Sequence, residues 1–554
     1  MDASSLTKYI KNRNEYGYYF YNNSQPQQLS ISNLREGQQA YFYSKRLTIL
    51  PCACSPCTLQ ISEPNCSVID STATGLSSLF SWISVNNKGP TITARYIYLF
   101  FFTIVAAYNW LMRPTNAVFS GIIDGWNWDE TVSMSQSPSP QETYVWLNHA
   151  ISDLAPQLFT GPGIAADFSQ VLTMERNLFN WTTEQQATAI AKIREKGNWA
   201  LFLTRWNTWA SARFEDGNRT LPSPTDTNIV NIGTEIKVWS FDLPSFVDSA
   251  KWTPLRISPT SQSKQSYLTF FWDSVASTGI TSDQENILDT FSDNFFPKPN
   301  ERISELQEVI DITANLTDNQ KVQAEFWAGG PHTITPPGMM AWFWRDFVLS
   351  QSSTIGPTKA LFSGLDLAVH LFEGSRLTWR QKARHCQSRP IQDIRIGWAG
   401  QQLSLWNGSK VPAELWVPYQ ESTFVTPPFA DFPSGHSHFS QAFALVMTSW
   451  FGQDIPTTQV NRDDMTFISA IYSGAPQQIG AYNTIIFPAG ASAIQPSQVP
   501  AQAVELVWKT WQDLANSAGF SRLYGGIHCM SAHTSSQAIA RELDTVIQGV
   551  WTRK

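Results

Sequence analysis

From Tyr96 to Met112 the chain reads YIYLFFFTIVAAYNWLM, with no charged side chain. A helix of this length is at the short edge of what spans a bilayer, and it carries the polar Asn109 among its Tyr and Trp residues. Such a segment has to be surrounded, either by lipid or by a large protein core. The rest of the 554 residues favours a core: charged residues make up 15%, and aromatics reach 13% with 23 Trp. This length exceeds one typical domain, and a single large helical unit or two fused halves both accommodate it. A net charge of −7 argues against a general nucleic-acid footprint.

A second stretch, Asp431-Phe-Pro-Ser-Gly-His-Ser-His-Phe-Ser440, carries chemistry. Ser434, Gly435 and His436 put a hydroxyl, an unhindered backbone N–H and an imidazole on successive residues, ahead of an apolar run to Phe451. That pattern predicts a helix start, whose unpaired N–H groups and partial positive charge suit a tetrahedral oxyanion. Alone, it reads sooner as an ordinary Ser N-cap on a buried helix, and its weight comes from the clusters on both sides. Upstream, Lys382 and Arg389 lie seven residues apart, a spacing that puts both on one helix face, with Pro390 expected to stop the helix. Downstream, Arg522 and His528 flank Gly525-Gly526, which allow close backbone approach. Three cations, two neutral donors and two imidazoles would repel one another or stay idle in an empty pocket, whereas a multiply charged anion satisfies them together.

The pattern K-x6-R-P, P-S-G-H, S-R-x3-G-x-H, carried here by Lys382–Pro390, Pro433–His436 and Ser521–His528, resembles that of the superfamily joining vanadium haloperoxidases to type 2 phosphatidic acid phosphatases. The run Thr426–His436 is similar to vanadium chloroperoxidases, with Phe429 where bromoperoxidases commonly carry histidine. Trp379 matches a chloroperoxidase active-site tryptophan. Glu325–Pro331, Thr335–Gly338 and Lys251–Leu255 also resemble haloperoxidase-like segments, and the likeness runs over roughly residues 90–554.

The resemblance implies vanadate as cofactor, with phosphate able to replace it. His528 would be the metal ligand, and Lys382, Arg389, Ser434, Gly435 and Arg522 would hold the oxyanion oxygens. The catalytic set would be His436 as acid–base group, Lys382 polarising the bound peroxide, and His528. Trp379 and Phe429 would wall a halide pocket. The implied activity is oxidation of chloride or bromide by hydrogen peroxide to hypohalous acid. The alternatives are a soluble acid phosphatase using the same cage for phosphate, or a weakened relative with a structural or binding role.

Two positions depart from the family. The third motif usually continues H-x3-D, with the aspartate hydrogen-bonded to the histidine; here Ala532 stands in its place, so His528 is expected to lack that support. Gly329 lies near where fungal chloroperoxidases place an aspartate that pairs with the third-motif arginine. The missing carboxylate weighs more against a phosphatase, whose histidine must act as nucleophile.

The expected fold is mainly α, as two four-helix-bundle halves of the vanadium haloperoxidase and acid phosphatase type. An N-terminal extension (1–85) would precede the first half (86–340) and a second half (341–554) carrying the anion site. Helical patterns recur at Tyr96–Met112, Pro140–Leu154, Thr183–Ala212, Ser282–Phe291, Thr317–Trp327, Ala360–Gln387, Ser437–Phe451, Pro500–Ala518 and Ser535–Trp551. Thr333–Gly338 reads as a loop, and residues 225–245 as a small hairpin. Within the resemblance, Tyr96–Met112 corresponds to a buried helix, so no membrane span is expected. The N-terminus lacks a signal-peptide pattern, making a soluble protein, cytoplasmic by default, the expectation. Cys52, Cys54, Cys57 and Cys66 are compatible with disulfides, a zinc site or free thiols. Cys386 and Cys529, inside the first and third motifs, are expected near the anion site. Hydrogen peroxide and halide are the implied partners, with a homo-oligomer left open and no nucleic acid.

Overall fold

A computed structural model describes residues 64–112, 119–133, 136–159, 167–217, 251–255, 265–456, 478–479 and 483–551. The Cys52–Cys66 cluster and the hairpin expected at 225–245 lie outside the described side chains. The chain divides into two units, Met1–Gln60 and Ile61–Lys554, and all the described residues belong to the second.

That unit is built from α-helices with a few short strands. The helices are α1 (Pro64–Val85), α2 (Pro90–Met112), α3 (Pro140–His149), which runs through a π-helical turn (Ala150–Leu154) into α4 (Ala155–Leu158), α5 (Gln170–Phe179), α6 (Thr183–Lys196), α7 (Trp199–Gly217) and α8 (Ser282–Asp293). They continue with α9 (Pro299–Ala314), α10 (Asp318–Phe326), α11 (Thr335–Ser350), α12 (Pro357–His385), α13 (Pro390–Gly397), α14 (Gly435–Phe451), α15 (Trp511–Tyr524) and α16 (Met530–Val550). Among the described residues, two antiparallel pairs join β1 (Ile122–Ile123) to β2 (Trp126–Asn127) and β3 (Gln402–Ser404) to β4 (Lys410–Pro412). A third antiparallel sheet has the order β5 (Gln478–Ile479), β6 (Thr484–Phe487), β7 (Val504–Val507).

The charge-free segment is α2, buried from Ile97 to Leu111. It is the one helix among the described residues long and apolar enough to cross a membrane, and 89% of its most apolar window lies inside the fold. Its main partner is α12, whose residues Ala360–Trp379 are buried all round. The two helices approach closely at Gly364, where a Cβ would lie 2.2 Å from the Phe101 ring and 2.8 Å from Trp344. On its other side α12 packs on α14, which also meets α15 and α16. One aromatic-rich core cluster includes residues of α1, α2, α3, α11, α12, α14, α15 and α16. Residue 340, expected as a boundary between halves, lies inside α11, whose side chains enter that core.

Several elements differ from expectation for local reasons. Residues 64–85, grouped by composition with a turn-rich extension, form α1, and Leu76, Leu79 and Ile83 are in the core. The stretch Thr183–Ala212 is broken into α6 and α7, with Gly197 capping α6 and its backbone N–H donating to the Ile193 carbonyl. In Pro500–Ala518 only the second part is helical: Val504–Val507 pairs with β6, and α15 starts at a Thr510 capping box. Thr335, expected in a loop, opens α11, with prolines in its first turn where no N–H partner is lost. Pro390 does not stop the first-motif helix but starts the next one.

Candidate oxyanion site

Lys382 lies in the last turn of α12, which ends at Cys386 in the left-handed conformation (φ 49°). Arg389 is the extended N-cap residue of α13. The two cations therefore do not share a helix face. The turn between two helices brings them to one place instead. Lys382 Nζ donates to the carbonyls of Ala430 (2.7 Å) and Asp431 (3.0 Å). Arg389 donates from Nε to the Phe429 carbonyl (2.6 Å) and from Nη1 to the Ile527 carbonyl (2.8 Å), with Nη1 also 3.2 Å from His528 Nε2. The loop before the second motif thus binds the first-motif cations through backbone oxygens.

Ser434 is the N-cap of α14: its hydroxyl accepts the Ser437 N–H (3.4 Å), and its own N–H donates to the Ala532 carbonyl (2.9 Å). The N-cap reading and the anion-site reading are compatible, because Gly435 is then the first helical residue and its N–H belongs to the set left without intrahelical partners. Arg522, near the end of α15, donates from Nη2 to the Ala324 carbonyl (2.6 Å) and from Nε to Ser521 Oγ (3.0 Å). The Ala324 carbonyl, near the C-terminal end of α10, takes the role expected of an acid near Gly329. His436 is half-buried and lies 2.8 Å through Nε2 from the Trp327 carbonyl.

His528 does have a carboxylate, but not from the position four residues downstream. Its Nδ1 donates to Asp431 Oδ1 in a short hydrogen bond, and Asp431 is fully buried. The other carboxylate oxygen accepts from Arg302 Nη1 (2.7 Å), an arginine of α9. The expectation that Ala532 leaves His528 without a carboxylate partner is therefore overturned. Neither Asp431 nor Arg302 stands out in the sequence as a site residue. Asp431 opens the second-motif segment, yet its spacing from His528 carries no signal, because the partnership spans 97 residues.

Trp379 and Phe429 do meet, with ring centroids 4.9 Å apart and 51° between planes. The Lys382 ammonium (5.1 Å) and the Arg389 guanidinium (4.8 Å) both lie over the Phe429 ring, whose face attracts cations. Trp379 Nε1 donates to the Leu268 carbonyl (2.9 Å), which fixes the indole against Phe429.

The electrostatics follow from burial. Lys382 is pushed well below the usual ammonium range by desolvation and by repulsion from Arg389, with Asp431 opposing. Burial lowers Arg389 to about 10, and burial with Arg389 repulsion lowers Arg522 to about 9. Burial and the Arg389 charge hold His528 neutral, at about 3, and burial with Arg522 holds His436 well below its ordinary value. Desolvation alone would raise Asp431, but Arg302 and His528 keep it below the carboxylate range. Buried cations that disfavour their own charge are relieved by an anion. Arg389 Nη2 is moreover buried with no hydrogen-bond partner. The donor set therefore fits a tetrahedral oxoanion such as vanadate or phosphate, which Lys382, Arg389, Arg522 and the Gly435 N–H would hold and to which His528 would offer Nε2.

Cys386 packs with Trp252 and Ala430, while Cys529 belongs to a cluster with Leu306, Val309 and Ile310 of α9. Neither forms a disulfide, and burial raises the Cys529 thiol well above its ordinary value.

Residues 361–552, which contain every one of these motif residues, match the family model of the VCPO second helical-bundle domain. That part of the chain is thus similar to the second helical bundle of the vanadium haloperoxidases, and the fold as a whole is similar to theirs. Solved structures with this fold include a bacterial vanadium-dependent chloroperoxidase in apo and holo forms. Each is 16% identical with a TM-score of 0.56, covering 84% of this chain and 93% of that chain. The first bacterial vanadium-dependent iodoperoxidase is also 16% identical, with a TM-score of 0.57 over 87% of this chain and 96% of that one. No curated protein matches the chain. At such identity the vanadium haloperoxidase likeness is one of fold, and the chemistry rests on the cage.

Proposed function

We propose that this protein is a vanadium-dependent haloperoxidase that oxidises chloride or bromide with hydrogen peroxide to hypohalous acid. The observation that carries the reading is the convergence of Lys382, Arg389 and Arg522 with the Ser434–Gly435 helix start and the neutral, carboxylate-supported His528, beside an aromatic wall of Trp379 and Phe429. Vanadate bound there supplies a Lewis acid that stays oxidised while activating peroxide toward halide.

The chain's own residues have separable tasks in this reading. Arg389, Arg522, Lys382, Ser434 and the Gly435 N–H bind the oxyanion oxygens by charge-assisted and helix-terminal hydrogen bonds. His528 presents Nε2 as ligand. Lys382, already held by two carbonyls, is favoured in its charged form by the bound oxyanion, and its positive charge is then aimed where negative charge develops on peroxide. His436, held through Nε2 by the Trp327 carbonyl and neutral at working pH, takes up the peroxide proton at Nδ1. Trp379 and Phe429 exclude water, leaving a halide poorly solvated and more nucleophilic.

One observation favours the second reading, a phosphatase. A histidine nucleophile needs a partner at Nδ1, and Asp431 supplies it, so the argument from Ala532 against phosphate-ester hydrolysis no longer applies. The halide reading then rests on Trp379 and Phe429. Halogenation of monochlorodimedone with orthovanadate, peroxide and each halide should proceed with chloride or bromide. Turnover in no halide, with brisk hydrolysis of p-nitrophenyl phosphate, would reverse the assignment.

A further inference from the structure

α9 lies outside the matched second-bundle domain, yet it grips both sides of the third-motif histidine. Arg302 and Glu305, three residues apart, leave α9 on one face. Arg302 donates to Asp431 Oδ2, to Asp393 Oδ2 from Nε (3.2 Å) and Nη2 (3.0 Å), and to the Ser388 carbonyl (2.8 Å). Ser388 Oγ in turn donates to Asp393 Oδ1 (2.5 Å). Glu305 accepts from the Ser531 N–H (2.6 Å) and hydroxyl (2.8 Å), capping the first turn of α16 three residues after His528. Between the two, Leu306, Val309 and Ile310 pack with Cys529, the residue next to the histidine.

We propose that Asp431 and Arg302 form a carboxylate–guanidinium clamp that positions His528, fixing its proton on Nδ1 and turning the Nε2 lone pair into the oxyanion cage. The clamp depends on the haloperoxidase reading only for the identity of the anion. Asp431 is a positioning residue here, since it acts through His528, and Arg302 acts through Asp431. A clamp is needed because Nε2 lies 3.2 Å from Arg389 Nη1, itself a donor, so only the tautomer protonated at Nδ1 offers Nε2 as an acceptor on that side. Arg302 spans Asp431, Asp393 and the Ser388 carbonyl, so one guanidinium ties the second-motif loop to the residue preceding Arg389. The carboxylate is buried, and its second oxygen is satisfied only if that arginine stays in place. The position of the support explains why Ala532 is tolerated: its backbone carbonyl is already engaged by the Ser434 N–H, and the histidine is served from the opposite segment.

The test uses the full chain with orthovanadate as probe and two readouts. Calorimetric titration measures anion affinity, and nitrogen-15 NMR of the imidazoles reports the His528 tautomer without any ligand. Asp431→Ala should weaken orthovanadate by about 10- to 100-fold, the usual cost of losing a partner behind a ligating histidine, and should lose the pure Nδ1–H tautomer. Asp431→Asn should keep the tautomer and most of the affinity, because its amide oxygen still accepts the Nδ1 proton. Arg302→Met combined with Asp431→Asn avoids a stranded arginine, and Asp393, whose carboxyl burial already raises to about 6, can stay protonated beside Ser388. An unchanged tautomer and affinity in a folded Asp431→Ala protein would overturn the clamp. Should the wild type fail to take up orthovanadate while Asp431→Ala still alters the tautomer, the vanadium reading fails and the clamp stands.

Discussion

His528 concentrates the chemistry of this site in one ring: Nδ1 is committed to Asp431 and Nε2 faces the cations. Replacing it with alanine should abolish bound vanadate as measured by metal content after reconstitution and dialysis. Unchanged metal content would rule out the proposed coordination. At this scale part of the arrangement was legible in the sequence, since the Lys382 and Arg389 side chains both bind carbonyls of the loop before the second motif and Arg389 reaches His528. Two things were not. Arg389 does not continue the Lys382 helix, because Cys386 in the left-handed conformation and Pro390 at the start of α13 divide the segment into two helices. Asp431 was hidden because a pair distant in sequence leaves no periodicity or spacing to read.

The elements are held together by a second buried histidine, remote from the cage. His370 of α12 contacts Asp366 one turn earlier and Asp544 of α16, at 2.9 Å from Nε2. Burial opposes its charge, but the two carboxylates outweigh this and raise it from 6.5 to about 9. A histidine whose folded value exceeds its unfolded one contributes stability fully below about pH 6.5, and loses it as pH rises through about 9. The urea midpoint should therefore fall between pH 7 and pH 10, with at most about 3 kcal/mol at stake. His370→Gln should flatten that fall, and an identical slope in wild type and variant would show that the α12–α16 pair carries no charge. Helix patterns were legible where long apolar runs leave little but a buried helix, as in α2 and α14. Val504–Val507 was misread because a short apolar run is ambiguous until β6 offers its edge.

In the whole molecule, one aromatic core is continuous through both the first and second parts of Ile61–Lys554, and α9 reaches from the first part to Asp431, the partner of His528. Anion binding in the second bundle should accordingly stabilise the unit as one body. Orthovanadate at a hundredfold excess over its dissociation constant adds about 2.7 kcal/mol. Differential scanning calorimetry should show a single endotherm for this unit that moves up with ligand. An endotherm that splits, with only one component moving, would show that the halves unfold independently.

The residue types and their order determined which groups could hold a tetrahedral anion in the proposed cage, because hydroxyl, guanidinium and imidazole chemistry is written in the motifs themselves. Aromatic load and scarce charge likewise determined a large helical core, since such side chains have to be buried. Only the tertiary structure decided which carboxylate supports the histidine, through which helix the first half reaches it, and how Lys382 and Arg389 meet. Those are contacts between segments far apart in sequence, and they exist only once packing has brought α9, the Asp431 loop and the start of α16 together.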